Sequence, residues 1–387
     1  MSELCFLEPL DVLFHRGNKL FGDAGSFGEA QMPPWPSAAA GAIRSRMLAD
    51  AVVDFCAFAR GEVIGDAVLR DVLGTPQAPG TFRVGWFSVA RRINGAIEPL
   101  IALPADVVAN EGDDVMHYLY PLPLPENLRA SCLTAQLAML RQEGGAKPES
   151  GLWFGGKGLT AYLRGEPLSK KGHTVKTSEL WKADVRIGIA LDPVRRAVAE
   201  GALFTTDAIA MKENTGFLVR IEGADGKAPS RGLLRLGGDG HGARVATSKV
   251  SWPQPDWDRI ARERRFRLAL ATPGLFERGW LPPGIQNDGT TWNGPAGVVA
   301  RLVCAAVPRA QVVSGWDLVR RAPKAALRAV PVGSVYWFDA PQSDGAALVT
   351  VLRKLAAEGF GCLSGYPDRA RLVEGFNNVM VSNWVEQ

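Results

Sequence analysis

Cysteine is sparse in this chain. Its five copies, Cys5, Cys56, Cys132, Cys304 and Cys362, are scattered, and none forms a CxxC pair. That spacing excludes a disulfide framework and a cysteine zinc site, and it fits a reducing cytoplasm. Histidine is rarer still. His15, His117, His173 and His241 lie far apart, none at a metal-ligand spacing. No GxSxG elbow, HExxH motif or paired-aspartate signature occurs. No apolar run approaches the roughly 18 residues that span a bilayer. The first residues, MSELCFLEPLD, carry acids and no basic start, so no signal peptide is expected.

What is present is a core and an uneven charge. The hydrophobic share of 47% is ordinary for a chain with a real interior, and 387 residues suggest two domains. The net charge of +4 is mild, but it is not evenly spread. Residues 157–186 hold seven Lys or Arg against three acids, and five arginines between 259 and 267 face Glu263 alone. Acids gather elsewhere, as in EGDD at 111–114. Such asymmetry suits a polyanion face, although any one basic run is more often a solvated surface.

Strand signals alternate with fewer helical ones. LCFLEPLDVLFH (4–15) reads as a strand broken near Pro9, followed by a glycine-rich loop. A helix is expected from Ser37 as N-cap through about 59, with Ile43, Met47, Val52 and Phe55 on its apolar face. Gly41 within it suggests close packing or close approach of a ligand. Strands are expected at 81–90, 185–191, 201–206, 216–223, 232–238, 265–273, 298–307, 313–319 and 329–339, and a last one at RARLV (369–373). Residues 128–140 read as a helix, as do 346–358, the latter stopped by Gly359. With few βαβ crossovers, the fold class expected is α+β with antiparallel sheets, built from split β-α-β units of the ferredoxin-like kind. The first unit is placed at 1–256, with an insertion at about 91–182, and the second at 257–387.

The densest chemical signal is LLRLGGDGHGARVATSKV (233–250). Gly237, Gly238, Gly240 and Gly242 fall within six residues, among Arg235, Asp239, His241, Arg244 and Lys249. Glycines permit left-handed backbone and close approach, and a turn of successive N–H groups can cradle a phosphate. The same glycines can equally make a tight hairpin. No Walker Lys-Ser/Thr follows them, and ARVATSKV reads as a strand rather than the helix a dinucleotide fingerprint opens. Asp239 alone, without acidic neighbours, makes no metal site. His15 and His241 are the candidates for acid–base work on RNA, but partners for them are not visible in the sequence.

Taken in order, several segments resemble a known family. LEPLDVLF followed by HRG, PPWPSAAAGAIRSRML, RIGIALDPVRRAVAEGALFTT, GFLVRI, LLRLGGDGHGAR, GWDLVRRAPKAALRAVPVGSVYWF and GFGCLSGY together are similar to the RAMP proteins of CRISPR effector complexes. The likeness is greatest to the third subunit of the Cmr (type III-B) complex, over nearly the whole length.

The resemblance implies two ferredoxin-like, RRM-type units and a non-catalytic, guide-RNA-binding subunit. It would cap the 5′ handle and dock the large polymerase-like subunit beside a neighbouring RAMP backbone subunit, meeting target RNA only indirectly. No cofactor, metal or membrane is implied. The family's glycine-rich loop maps onto Gly237, Gly238, Asp239, Gly240, His241 and Gly242, with Arg244 beside it. Its N-terminal RNA contacts map onto His15, Arg16 and Lys19, and its helix start onto Ser37, Gly41, Arg44 and Arg46. Lys157 adds charge from the insertion. A protruding β-hairpin, expected at about 192–211, would make contacts through Arg195, Arg196 and Met211. The aromatic RNP motifs of an ordinary RRM are absent, so binding through loops and helix ends is expected. The alternative is a metal-independent endoribonuclease that processes precursor guide RNA on a RAMP fold.

Overall fold

In the computed structural model, described for residues 2–15, 27–28, 30–62, 64–125, 130–131, 133–141, 147–192, 194–317, 322–363 and 369–385, two large sheets dominate. The chain forms β1 (Glu3–Pro9), α1 (Pro36–Asp50), α2 (Phe55–Ala59), α3 (Ala67–Leu73), β2 (Arg83–Ile93) and β3 (Ala96–Ala102). Next come β4 (Val115–Pro123), β5 (Gln136–Leu140), β6 (Leu152–Phe154), α4 (Gly156–Arg164) and β7 (Thr174–Lys176). A long pair, β8 (Trp181–Leu191) and β9 (Val198–Met211), precedes β10 (Thr215–Glu222), β11 (Arg231–Arg235) and β12 (Gly242–Thr247). The remainder comprises α5 (Trp257–Glu263), β13 (Arg265–Leu270), β14 (Thr291–Asn293), β15 (Val299–Ala306), β16 (Val335–Asp339), α6 (Gly345–Glu358), α7 (Arg369–Val373) and β17 (Val379–Asn383).

The first sheet has the order β7-β6-β3-β2-β10-β1-β12-β11, and the second β14-β15-β16-β13-β17. All pairings named in these two sheets are antiparallel. Successive side chains on a strand point to opposite faces, and the buried residues sort accordingly. Cys5 and Leu7 of β1, Phe87 and Val89 of β2, and Phe217 and Val219 of β10 pack beneath Ile43 and Met47 of α1 and Leu69 and Val72 of α3. Their neighbours Phe6, Trp86 and Leu218 face the other way. There they meet Ala269, Trp337 and Met380 of the second sheet, together with Phe154, Leu159 and Tyr162. The far face of the second sheet, with Phe266, Leu268, Leu302 and Phe338, is covered by Leu348, Leu352 and Leu355 of α6. The layers therefore run helix, sheet, sheet, helix.

One buried ion pair crosses the middle layer. Arg267 of β13 and Asp106 are both fully buried and hydrogen-bonded to each other. Arg267 also donates to the carbonyls of Asn383 at 2.8 Å and Tyr162 at 3.1 Å, and its guanidinium lies near both the Tyr118 and Tyr162 rings, 5.1 and 4.7 Å from their centroids. The Tyr162 hydroxyl donates to Asp106 at 3.0 Å. Burial pushes the Asp106 carboxyl up, and Arg267 opposes that.

Several local expectations change. α1 stops at Asp50 rather than running to 59, because Val52 takes a positive φ of 54° and a new turn begins at α2. Val52 (92% exposed) and Phe55 (50%) therefore lie outside the core. Residues 136–140, expected as helix, form β5 against β4, where cross-strand pairing outweighs local propensity. RARLV forms α7, not a strand, and the last strand is β17. The basic run 259–267 is not one face. Arg267 is wholly buried, Arg259 pairs with Glu263 at 2.8 Å, and Arg264 donates to the Pro341 carbonyl at 3.1 Å. The run 157–186 is likewise partly neutralised within the chain, through Lys170–Glu149 at 2.7 Å, Lys176–Glu149 at 3.3 Å and Arg186–Asp184 at 3.0 Å.

Candidate nucleic-acid interface

The glycine stretch closes the β11–β12 hairpin, with Arg235 opposite Gly242 and a 3-10 turn at Gly238–Gly240. Gly237 has φ 89°, and a Cβ there would fall 2.6 Å from His15 Cε1. Gly240 has φ 77°, but a Cβ would meet nothing within 4 Å. The first glycine is thus required by a side chain of this protein, and the second by backbone conformation alone. The segment before His15 runs alongside the turn. Leu10 N–H donates to the Gly242 carbonyl at 3.0 Å, and Gly238 N–H to the Phe14 carbonyl at 3.3 Å. The hairpin reading accounts for the pairing, and the close-approach reading for Gly237.

Two histidines from opposite ends of the first sheet's sequence meet here. His15 lies largely buried against Gly237, and its Nε2 has no hydrogen-bond partner among the described residues. Burial, then the neighbouring His241, pushes the His15 imidazole down to about 4. His241 Nδ1 stands 3.7 Å from Asp11 Oδ2. The His15 carbonyl accepts from Gln31 N–H at 2.7 Å, which ties the turn to the chain leading into α1. Arg16 and Lys19 lie outside the described residues. The fold alone discloses this meeting, since no sequence spacing links Asp11, His15 and His241.

α1 begins with Pro36 at N1 after Trp35 as N-cap, and no side chain caps it. Ser37 is therefore not the cap; proline's fixed φ does the starting instead. Gly41 is exposed, and a Cβ would meet nothing within 4 Å, so no internal packing requires it. Arg44 is mostly buried. Desolvation lowers its pKa and Glu374 opposes the shift. Glu374 also holds Lys324 at 2.6 Å and Arg371 at 2.9 Å. Arg46 pairs with Asp50 at 2.7 Å and donates to the Leu233 carbonyl, clamping α1 to β11. Arg244 lies 3.2 Å from Glu8 with its side chain 58% exposed. Of these three α1 and β12 cations, Arg244 is the most open to solvent.

The hairpin is longer than expected. It starts at Trp181, opposite Met211, and closes around 192–197. The Asp192 carboxylate accepts from the backbone of Val194 at 2.8 Å and Arg195 at 3.0 Å, which lowers its pKa. Arg195 and Arg196 are exposed at this tip, Arg196 with φ 51°. Met211 sits at the base and packs against the first core. A strand of this length spans on the order of 40 Å, so Met211 does not join the two arginines in one contact. Val185, Ile187, Ile189 and Leu191 alternate along β8 and are all exposed. Lys157 is exposed at the start of α4, which belongs to the layer on the opposite face of the first sheet from α1.

A family model described as CRISPR-associated protein (Cas_Cmr3) matches residues 5–366. The chain belongs to that family. The glycine turn, the α1 start and the hairpin all fall inside the stretch matched to Cas_Cmr3. The chain is also similar to a chain of a type III-B Cmr-beta complex bound to cognate target RNA and AMPPnP, at 15% identity, covering 98% of this chain and 96% of that one, with a TM-score of 0.48. A second likeness, to the type III-B Cmr-beta complex bound to cognate target RNA, has 14% identity, 98% and 96% coverage and a TM-score of 0.46. No curated protein matches the chain. Membership in Cas_Cmr3 rests on the family model. Among the described residues no helix is long and apolar enough to cross a membrane.

Proposed function

We propose that this Cas_Cmr3 chain is a non-catalytic subunit of a type III-B CRISPR effector complex, working in the cytoplasm. It caps the 5′ handle of the guide RNA and docks the large polymerase-like subunit next to a RAMP backbone subunit. The observation that carries this reading is the family match over residues 5–366. The strand orders support two ferredoxin-like units, 1–256 and 257–387. In each sheet four strands follow the order second, third, first, fourth: β2-β10-β1-β12 and β15-β16-β13-β17. The handle binds across the glycine turn and the start of α1, which the His15–Gln31 bond links. Gly41 leaves an open helix face for backbone approach, and Arg244 supplies charge to the phosphates. The hairpin, with an apolar β8 face and Arg195 and Arg196 at its tip, reaches the guide–target duplex, where base pairing carries the sequence reading.

The second reading, an endoribonuclease, is favoured by one observation, the meeting of His15 and His241. An imidazole held down near 4 is a weak general base at neutral pH. One experiment separates the two. Purified protein with 5′-labelled guide RNA, with and without magnesium, is crosslinked and footprinted. The capping reading expects protection and crosslinks at the handle, near Gly238 and Arg44, with the RNA intact. Cleavage that disappears in His15→Ala or His241→Ala would replace it with the nuclease. Losing Arg244 by Arg244→Ala should reduce the salt slope of binding by roughly one.

A further inference from the structure

Away from the glycine turn, a cavity of about 460 Å³ opens between β4–β5 of the insertion and the second sheet. That volume is within the range of small-molecule sites. Its chemistry is concentrated in six side chains: Tyr120, Gln136, Arg265, Arg301, Asp339 and Trp384. Arg265 of β13 and Arg301 of β15 each stand opposite Asp339 of β16, on the strands either side of it. Directly opposed residues share a face of a sheet, so one carboxylate lies between two guanidiniums. Arg265 is 3.8 Å from Asp339, and no ion pair to Arg301 is found among the described residues. The cluster therefore keeps a cation in excess, and both arginines remain exposed. The Arg265 guanidinium also lies over the Trp384 ring, 5.5 Å from its centroid.

The rings are held by the interior. Arg267 donates to the carbonyl of Asn383, next to Trp384, and stacks on Tyr118, two residues before Tyr120 on β4. The backbone segments that carry both aromatic residues of the cavity are thus anchored, one and two residues away, to one buried guanidinium.

From this geometry we infer a second nucleotide site, one that takes a nucleoside monophosphate unit. The guanidiniums take the phosphate, which matches their planar fork. Trp384 and Tyr120 supply ring surface for a base, as aromatic side chains do on single-stranded nucleic acid. The Gln136 amide offers donors and an acceptor to a base edge, and Asp339 accepts from a ribose hydroxyl or an exocyclic amine. The unit comes either from a free nucleotide or from a residue of an RNA strand, and the inference is independent of the handle-capping reading.

The test uses the full chain and two probes, AMP and a five-nucleotide single-stranded RNA, followed by calorimetry. Arg301→Ala and Arg301→Lys are compared with the unaltered protein, and circular dichroism melts confirm that each variant folds. Arg301 is exposed on β15, so its replacement should leave the fold intact. The expected result is binding weakened about tenfold or more in Arg301→Ala, with partial recovery in Arg301→Lys, where charge returns without the fork. AMP binding as tightly as the oligomer identifies a free nucleotide; an Arg301-dependent affinity for the oligomer alone identifies a strand. An absence of binding by both probes, or affinities unchanged in Arg301→Ala, would overturn the inference. So would Arg301-dependent binding of an acidic peptide when neither nucleotide probe binds, which would make the cavity a protein contact.

Discussion

In the first sheet α1 connects β1 to β2, and the connection from β10 to β12 contains the glycine turn and no long helix. In the second sheet these positions are exchanged. α6 lies between β16 and β17, and the connection from β13 to β15 is turns with the short β14. Each sheet keeps one long covering helix, joined in the first by the short α3, and irregular chain completes the cover. Ala224, Ala228 and Leu236 complete the core under the first sheet, and Phe276, Leu281, Ile285 and Trp292 complete it over the second. A helix satisfies its own backbone groups, whereas a turn brings backbone to the surface. The first sheet therefore has backbone on offer where the second has a closed helix.

The strongest way to break this arrangement is at the bond between its halves. Asp106→Ala leaves Arg267 buried and unpaired, and urea unfolding should show a loss of about 3–5 kcal/mol. The double variant Asp106→Leu/Arg267→Met should recover much of it; a single-variant loss below about 1 kcal/mol would mean the sheets are coupled by apolar packing alone. His15 gives the next effect. Its folded pKa is depressed, so its contribution is fully present above about pH 6.5 and is lost as pH falls toward about 4. Stability should drop by up to about 3 kcal/mol across that window, and His15→Gln should flatten the curve.

The glycines sharpen the comparison at smaller scale. Gly237→Ala meets both a positive φ and His15, and should cost about 1–3 kcal/mol in a thermal melt. Gly240→Ala meets only the φ and should cost about 1 kcal/mol. Equal losses would show that His15 yields to a methyl group. The smallest effect is at Gly41, where alanine should stabilise α1 by up to about 1 kcal/mol. If guide-RNA affinity falls in that more stable variant, the glycine serves the approach of RNA; if affinity holds, α1 is not a contact.

Much of the fold was legible because many segments carry one clear period. β8 alternates, and α6 places Leu348, Val351, Leu352 and Leu355 on one buried face before Gly359 ends it. Segments whose apolar residues fit two periods were misread. Leu137 and Leu140 suit a helix, yet in β5 they pair with Leu122 and Leu119. The candidate site was legible as a glycine stretch and as separate histidines, not as one place. Runs of basic residues were the least informative: Arg265 and Arg267 share one face of β13, yet Arg267 is wholly buried and Arg265 lines an open cavity.

By itself the sequence determined the family, the mixed architecture and the glycine turn, because these depend on local order and residue type. Tertiary structure alone decided that His15 meets Gly237, that Arg44 faces Glu374, and that Arg265 and Arg301 flank Asp339. Those contacts join residues far apart along the chain. Burial and strand register set them, and neither is written in any local pattern.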